Sequence, residues 1–278
     1  MINKTYRSIS MYALALLMTT TLTTGCVKDT EGEEKEPEKP ANFIPEKGYK
    51  YEYRIEQLDG SSATATRWIS GEQDSLSYHV YNLRTEVAAQ GSSIFLNDRI
   101  FSASGKTFTE QNVPEVWQQY IDLLKMMPGV TVLETRTTGY PCFITMENTI
   151  KEGSKIEISG PASQSQYIRS LQNGKQQEIT QTLTIIPGTS KVETIKVGAG
   201  TFVCNRYQYT ISKEINTKTD GQSYLSTGLE TVTIWMAHGT GMVKSYNEGV
   251  LLTVVMLPDG PKAITTNTNS TTTLQKIQ

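Results

Sequence analysis

Residues 48–56 read GYKYEYRIE, and the strict alternation of their side chains decides the fold class. Tyr49, Tyr51, Tyr53 and Ile55 take every second position, and charged residues fill the positions between them. Successive side chains of a strand point to opposite faces of a sheet, so this period predicts an antiparallel strand with one buried and one solvated face. A tyrosine row can also bind sugars or lipids, but on the apolar face of such a strand core packing is favoured.

Comparable short runs rich in Thr, Val, Ile and Tyr recur along most of the chain. These residue types fit the pleated, half-buried surface of a sheet, so the fold is predicted to be mainly β. Residues 271–277 alternate enough to predict a closing strand at an exposed edge of the sheet. The remaining strands are predicted at residues 64–69, 76–83, 93–96, 130–135, 142–146, 155–158, 165–171, 179–186, 192–197, 202–212, 229–236, 242–246 and 250–257.

Four Asx-Gly pairs punctuate these runs: Asp59-Gly60, Asn173-Gly174, Asp220-Gly221 and Asp259-Gly260. Asn, Asp and Gly accept the positive φ angles that tight hairpin turns require, so each pair predicts a hairpin between neighbouring strands. Asn247-Glu248-Gly249 predicts a further, slightly longer hairpin loop.

One helix is predicted, over residues 114–127. Pro114 suits the first helical position, and Pro128-Gly129 stops the helix. We expect its apolar face to pack on the sheet; the alternative is that Met126 and Met127 border a pliable ligand pocket. The predicted face consists of Val116, Tyr120, Leu123, Leu124 and Met127, widened by Trp117 and Ile121.

The N-terminus has the order of residues found in export signals. Lys4 and Arg7 supply positive charge before an apolar segment at residues 11–18, and small residues then lead to Gly25-Cys26. This order resembles a bacterial lipoprotein signal peptide, although Thr23 stands where such signals usually place Leu. The apolar segment is shorter than the roughly 20 residues that span a bilayer. The alternative is an ordinary secretory signal with an incidental cysteine.

Three segments are therefore predicted: a signal peptide at 1–25, a lipidated Cys26 with a flexible acidic tether at 26–41, and a β domain at 42–278. Residues 27–40 read VKDTEGEEKEPEKP, a composition that buries too little apolar surface to order the chain. The resemblance implies a diacylglyceryl group and an N-acyl chain on Cys26, enough for stable membrane anchoring.

The predicted location is the bacterial cell envelope, at the outer membrane, on its periplasmic side or at the cell surface. Acidic residues soon after a lipidated cysteine resemble the export signals of surface lipoproteins, and a plain spacer is the alternative. The formal net charge is −2 and no basic stripe occurs, which argues against nucleic acid as a partner.

Two cysteines follow Cys26, at Cys142 and Cys204. Disulfides persist in exported domains, and a bridge here would close a loop of about 62 residues. Each cysteine also lies in an apolar, strand-like run, so two separate buried thiols are the equally open alternative.

No set of residues points to catalysis, to a metal or to a cofactor. His79 and His238 lack metal-ligand spacing, and neither Cys-x-x-Cys nor Gly-x-Ser-x-Gly occurs. Gly198-Ala199-Gly200 and Gly239-Thr240-Gly241 lack the features of a phosphate loop and are interpreted as tight turns. Acidic residues are scattered, so no carboxylate pair for glycoside hydrolysis is indicated. We expect a non-enzymatic protein without a cofactor.

Three segments, in order, resemble a group of uncharacterised bacterial periplasmic proteins and lipoproteins. They are FIPEKGYKYEY at 43–53, VGAGTFVC at 197–204, which contains a "V.AGTF" motif, and WMAHGTGMVK at 235–244, which contains "G.G.VK". The resemblance implies a single, strongly curved antiparallel sheet, a half-barrel or open barrel, packed against one α-helix, similar in outline to lipoprotein carriers such as LolA. It supplies no catalytic residues. Gly198 stands where the pattern usually has Pro, which would loosen that turn.

Three functions are compatible with these features. The first is a membrane-anchored, non-enzymatic protein that binds a hydrophobic or lipid-like ligand, because a curved sheet capped by a helix can enclose an apolar groove. The second is an accessory subunit of an envelope protein assembly. The third is a hydrolase of envelope polymers, which requires carboxylates or histidines gathered in one cleft. The sequence identifies no ligand-binding residues.

Overall fold

The computed structural model describes residues 41–75, 78–89, 92–257 and 260–278. The predicted signal peptide, Cys26 and the tether up to residue 40 lie outside these residues. The described chain forms fifteen strands and one helix, α1 (Glu115–Met126). The strands are β1 (Tyr51–Gln57), β2 (Ser62–Ser75), β3 (Tyr78–Ala89), β4 (Ser92–Ala103), β5 (Lys106–Gln111), β6 (Val130–Thr138), β7 (Cys142–Glu147), β8 (Glu157–Ser159), β9 (Ser163–Gln172), β10 (Lys175–Val197), β11 (Gly200–Thr219), β12 (Gln222–Ala237), β13 (Gly241–Leu257), β14 (Gly260–Asn267) and β15 (Ser270–Ile277).

These strands form one antiparallel sheet, as predicted. Their order is β6-β9-β10-β11-β12-β13-β15-β1-β2-β3-β4-β5-β7-β8, and β14 pairs with β13 beside this path. In the described part of the chain the path ends at β6 and β8, so the sheet is not closed into a barrel. The prediction of a mainly β fold, with an open antiparallel sheet and one helix, is confirmed.

The sheet curves strongly enough that distant strands touch. Eight strands (β12, β13, β15 and β1 to β5) lie between β11 and β7 in the sheet order. Even so, Asn205 Nδ2 on β11 donates a hydrogen bond to the Asn148 carbonyl, just after β7, at 3.0 Å. The Tyr207 hydroxyl on β11 likewise donates to the Glu147 carbonyl. Folding the sheet onto itself buries much of its apolar face in one main core.

The tyrosine row of β1 lies in this core. Tyr51, Tyr53 and Ile55 are buried, and the residues between them are half-exposed or exposed. The Tyr53 hydroxyl donates to the Met242 carbonyl at 3.1 Å, and the Tyr51 hydroxyl donates to the Glu46 carbonyl at 2.9 Å. Each buried phenol thus has the partner that burial requires. The row packs the core, which is the favoured interpretation of the sequence.

The Asx-Gly turns are confirmed where the structure describes them. Asn173-Gly174 joins β9 to β10 with φ angles of 50° and 80°, and Asp220-Gly221 joins β11 to β12 with 52° and 77°. Positive φ at both central residues is the type I′ geometry, whose twist matches that of the flanking strands. Asp59-Gly60 lies between β1 and β2. Asp259 of the fourth pair lies outside the described residues.

Three details of the strand prediction are wrong. Asn247-Glu248-Gly249 is not a hairpin loop, because it lies within β13 and pairs with residues 230–232 of β12. The final strand is not an edge, since β15 pairs with both β1 and β13. Strands β5 and β14 were not predicted, and a turn at Ser104-Gly105 joins β5 to β4. Pairing with neighbouring strands overrides weak local turn and edge signals.

Helix α1 packs on the sheet as predicted, but through only one side of the predicted apolar face. Trp117, Ile121 and Leu124 are buried and share a cluster with Ile168 of β9. Their spacing of four and three residues forms one narrow stripe along the helix. Residues that the sequence analysis placed on the buried face are instead 37–43% exposed, namely Tyr120, Leu123 and Met127.

Gly198 lies in close contact with β15, and the expectation that glycine loosens this turn stays a prediction. A Cβ built there would lie 3.1 Å from the Cα atom and from the carbonyl oxygen of Gln275 on β15. Backbone of a neighbouring strand therefore occupies the space that a side chain needs.

Candidate functional site

A groove of about 450 Å³ lies between the N-terminal part of α1 and strands β9 to β13. Trp117 and Tyr120 of the helix line it on one side. Inward-facing residues of the long strands form its floor. The floor lies toward the ends of β10 to β13 that are remote from the "V.AGTF" and "G.G.VK" turns.

Strand alternation explains why the floor is apolar. Residues 179–185 of β10 read ITQTLTI, with threonine at every second position. Ile179 and Leu183 face the groove together with Ile211 and Ile215 of β11. Because side chains alternate between faces, the threonines point to the opposite face of the sheet.

Two charged side chains, Lys213 and Glu230, interrupt this apolar floor. Lys213 pairs across the strands with Gly228, and Glu230 pairs with Ile211, so the two are diagonal neighbours on one face. Burial lowers the pKa of Lys213 and raises that of Glu230, and the attraction between the two charges partly opposes both shifts. No hydrogen bond among the described residues contributes to either pKa shift.

Two buried nitrogen atoms in the groove wall have no hydrogen-bond partner among the described residues. They are Nε1 of Trp117 and Nε2 of Gln57. Trp117 is only 7% exposed. A buried N–H group without an acceptor loses its hydration and gains nothing in return, so each such group calls for an explanation.

The other amides at the groove wall are satisfied within the protein. Gln181 Nε2 donates to Gln166 Oε1 at 2.9 Å, and Gln166 Nε2 donates to the Tyr140 hydroxyl at 3.0 Å. These side chains hold one another in place. The remaining charged and hydroxyl side chains of the lining are Lys213, Glu230, Tyr120, Thr217, Thr268 and Ser270.

Two of the three family-like segments, 43–53 and 235–244, meet at the other end of the molecule, and Phe202 and Cys204 of the segment 197–204 belong to the same core cluster. Gly239 N donates to the Asn42 carbonyl at 2.8 Å, and the ring of Phe43 stacks on that of His238 with centroids 5.2 Å apart. His238 Nε2 is 2.6 Å from the Asn148 carbonyl, to which it donates a hydrogen bond. The motifs therefore fix the start of the domain against the sheet and do not line the groove.

His79 lies in a separate, exposed group of charges. Its Nδ1 is 2.8 Å from Asp74 Oδ1, and its Nε2 is 3.3 Å from Glu72 Oε2. These hydrogen bonds, first to Asp74 and then to Glu72, raise the pKa of His79. Lys47 forms an ion pair with Glu72. His79 and His238 thus sit in different surroundings, and neither lines the groove.

Cys142 and Cys204 are free thiols in this structure, and both are buried. Burial raises the pKa of both thiols, that of Cys204 to about 12. Cys26, the predicted lipidation site, lies outside the described residues.

The charged pair Lys213 and Glu230 and the buried N–H groups of Trp117 and Gln57 were not predicted from the sequence. A signal for one of them was present, because Lys213 continues the inward-facing row of Tyr207, Tyr209 and Ile211 on β11. A charged residue on the apolar face of an alternating strand marks a position with a polar partner or a function. Glu230 lies beside it through the hairpin predicted at Asp220-Gly221, whereas Trp117 and Gln57 join it only through the packing of α1 and of β1.

The described residues contain no cluster of three or more His, Cys, Asp or Glu side chains suited to a metal ion. None of their helical segments has the length and apolar character that a bilayer crossing requires.

No protein-family model matches the chain, and no curated protein sequence matches it. It is similar to a solved structure of a candidate lipoprotein from Parabacteroides distasonis ATCC 8503, with 13% identity, a TM-score of 0.43, and coverage of 87% of this chain and 100% of that one. It is also similar to a candidate exported protein with a YmcC-like fold from Bacteroides fragilis NCTC 9343, with 15% identity, a TM-score of 0.41, and coverage of 86% and 99%. The predicted likeness to LolA-type carriers stays a prediction.

Proposed function

We propose that this chain is a membrane-anchored bacterial lipoprotein without enzymatic activity, which binds a hydrophobic or lipid-like ligand in the groove between α1 and the sheet. Cys26 carries the lipid, the tether at 26–41 spans the distance to the domain, and the outer membrane is the proposed site of anchoring. No cofactor, metal or nucleic acid takes part in the proposed function.

The observation that carries the proposal is the apolar groove. Its volume of about 450 Å³ falls in the range of roughly 300–1,000 Å³ that is typical of small-molecule sites. Ile179, Leu183, Ile211 and Ile215 supply its apolar floor, and a few polar groups are placed within it. Such a surface gains free energy when it removes an apolar ligand from water.

Filling the groove tests ligand binding. Ile179→Trp would place a bulky ring in the groove, whereas Ile186→Trp would place the same ring on an outward position of the same strand, since Ile186 is 47% exposed. After gentle purification, native mass spectrometry of the full chain should show a bound apolar molecule on the wild type and on Ile186→Trp, and none on Ile179→Trp. Three ligand-free proteins would contradict the proposed function.

Replacing Cys26 tests the anchor. In a Gram-negative host fed an alkyne-labelled fatty acid, the wild type should incorporate the label and fractionate with membranes. Cys26→Ser should incorporate none, because only the thiol can form the thioether to the lipid. Cys142→Ser, which alters a buried thiol of the domain, is the matched control and should be labelled like the wild type. Equal labelling of Cys26→Ser would exclude lipidation at this residue.

A second candidate function is an accessory subunit of an envelope assembly. One observation favours it: Leu225, Leu229 and Leu252 lie close together on β12 and β13 and are 53%, 59% and 39% exposed. Crosslinking in intact cells should then trap one defined partner, and recovery of the uncrosslinked chain alone would oppose it. The hydrolase alternative gains no support from the described residues, where His79 and His238 do not meet in a cleft.

A further inference from the structure

A row rich in cationic residues crosses the outward face of the sheet near the turn that joins β12 to β13. Residues directly opposite one another on neighbouring antiparallel strands point to the same face, so strand pairing sets the row in one line. From β10 to β1 the row consists of Lys191, Arg206, Trp235, Lys244, Thr273 and Arg54. Its face is outward, because the adjacent Tyr207 and Tyr53 are buried in the main core.

Trp235 holds two of the cations at the centre of this row. The guanidinium carbon of Arg206 is 5.7 Å from the centre of its ring, and Lys244 Nζ is 5.2 Å from it. All three side chains are partly exposed. Trp235 Nε1 donates a hydrogen bond to Glu193 Oε1. An indole ring flanked by basic side chains is a combination typical of the lipid–water interface, where tryptophan lies at the level of the head groups.

Two carboxylates lie beside the row, and each pairs with a cation at one of its ends. Glu193 Oε2 is 2.6 Å from Lys191 Nζ, and Glu56 Oε1 is 3.0 Å from Arg54 Nη2. The charge of Glu193 also attracts that of Arg206.

The two central cations are not neutralised by these carboxylates. No ion pair among the described residues includes Arg206 or Lys244. Four cations and two carboxylates leave the row with a net charge of +2, in a chain whose formal net charge is −2. The next carboxylate along β1, Glu52, lies opposite Lys276 and does not change this balance.

The row lies at the end of the molecule where the described chain begins. The Asn42 carbonyl accepts a hydrogen bond from Gly239 N in the turn after β12, and Trp235 precedes that glycine by four residues, about 13 Å along a strand. Residues 27–41 separate Cys26 from Asn42. A flexible chain of this length spans about 20 Å on average and about 50 Å at most, so a lipid on Cys26 would keep this end close to the bilayer.

From this charge and position we propose that the row docks on an anionic membrane surface, where Arg206 and Lys244 bind lipid phosphate groups. This inference rests on the proposed function, because the lipid on Cys26 brings the row to the membrane.

Docking through the row orients the domain. Each basic residue at an anionic surface strengthens binding about fivefold, so two free cations alone bind weakly. A tether raises their effective concentration at the surface, which makes a weak contact sufficient. The row lies on the outward face of the sheet and the groove on the inward face, so the docked domain presents its groove away from the bilayer.

Crosslinking to lipid head groups tests this orientation with the full chain. The chain purified from membranes is reconstituted in vesicles of phosphatidylcholine alone, or of phosphatidylcholine mixed with phosphatidylglycerol. Both carry a trace of phosphatidylethanolamine with a photoreactive head group, and mass spectrometry identifies the labelled peptides. Peptides that contain Arg206, Trp235 and Lys244 should be labelled at least about fivefold more in the anionic vesicles. Added salt should reduce this difference, because it screens exposed charges.

A matched pair of double variants assigns the effect to the two free cations. Arg206→Gln with Lys244→Gln should abolish the preference for anionic vesicles, and each single substitution should remove part of it. Lys175→Gln with Lys218→Gln makes the same change of charge at the other ends of β10 and β11 and should keep the preference. Since all four side chains are at least partly exposed, both double variants should unfold in urea like the wild type.

The outcomes separate docking from anchoring. Labelling confined to the N-terminal peptide, or equal labelling of the row in both kinds of vesicle, would overturn docking and leave the anchor supported. Labelling of the row in a chain whose Cys26 is unmodified would support docking and overturn the lipid anchor. Loss of labelling when inorganic phosphate is added at constant ionic strength would identify a soluble anion as the ligand and overturn docking. No labelling of a chain with unmodified Cys26 would overturn both.

Discussion

Two pairs of opposite charges lie on inward faces of this sheet, Arg67 with Asp98 and Lys213 with Glu230. The two pairs differ in how their members interact. Arg67 is 2% exposed, and its Nη2 donates to Asp98 Oδ2 at 2.9 Å. A buried charge with such a partner is a closed structural unit, and removing one member leaves the other unpaired at high cost. Lys213 and Glu230 are diagonal neighbours whose charges attract, and no hydrogen bond contributes to their pKa shifts.

Thiol reactivity tests the state of Cys142 and Cys204. Their pKa values are raised by burial, so little thiolate exists at mildly alkaline pH, and only the thiolate reacts. The full chain treated with iodoacetamide at about pH 8 without reductant should leave both thiols unmodified, and both should react after unfolding in guanidinium. A mass two hydrogens lower, with no labelling after unfolding, would instead establish the disulfide alternative.

At the scale of elements, helix α1 shows what periodicity leaves undetermined. Its sequence has apolar residues around more than half of its circumference, so several overlapping stripes fit one amphipathic pattern. The stripe of Trp117, Ile121 and Leu124 is selected by contact with β9, which is distant along the chain.

Two adjacent leucines of α1 offer a matched test of this face. Leu124 is 4% exposed and Leu123 is 38% exposed. Leu124→Ala should lower the free energy of unfolding by about 3 kcal/mol, because it leaves a cavity against β9. Leu123→Ala should lower it by less than about 1 kcal/mol. Urea unfolding of the two variants measures both values, and equal losses would return the helix to the orientation predicted from sequence.

At the scale of the whole molecule, two strands that are distant in sequence, β1 and β15, pair with each other. β1 and β15 are the first and the last described strands, and they lie side by side in the middle of the sheet order. A strand with partners on both sides has its amides bonded on both sides, whereas an edge strand leaves alternate amides to water.

Hydrogen exchange tests this arrangement. Residues 270–273 of β15 pair with both β1 and β13, whereas β6 pairs with β9 alone at the end of the sheet path. Exchange measured by mass spectrometry should be slower by at least about tenfold for the β15 peptide than for the β6 peptide, because central amides exchange only through larger openings. Equal exchange of the two peptides would show that β15 is an edge.

The sequence by itself determined the local properties of this protein. Alternation in GYKYEYRIE placed Tyr51 and Tyr53 in the core, Asn173-Gly174 and Asp220-Gly221 made the turns, and the run 114–127 made the helix. Each of these depends on a few neighbouring residues, through side-chain alternation or through the φ angles that a residue type tolerates.

Only the tertiary structure decided the central place of β15, the buried face of α1 and the groove. Trp117 is far in sequence from Lys213 and Glu230, and it meets them because α1 packs across β9, whereas Lys213 and Glu230 are brought together by the β11–β12 hairpin. Strand order and curvature arise from pairings between distant segments, which local residue patterns do not specify.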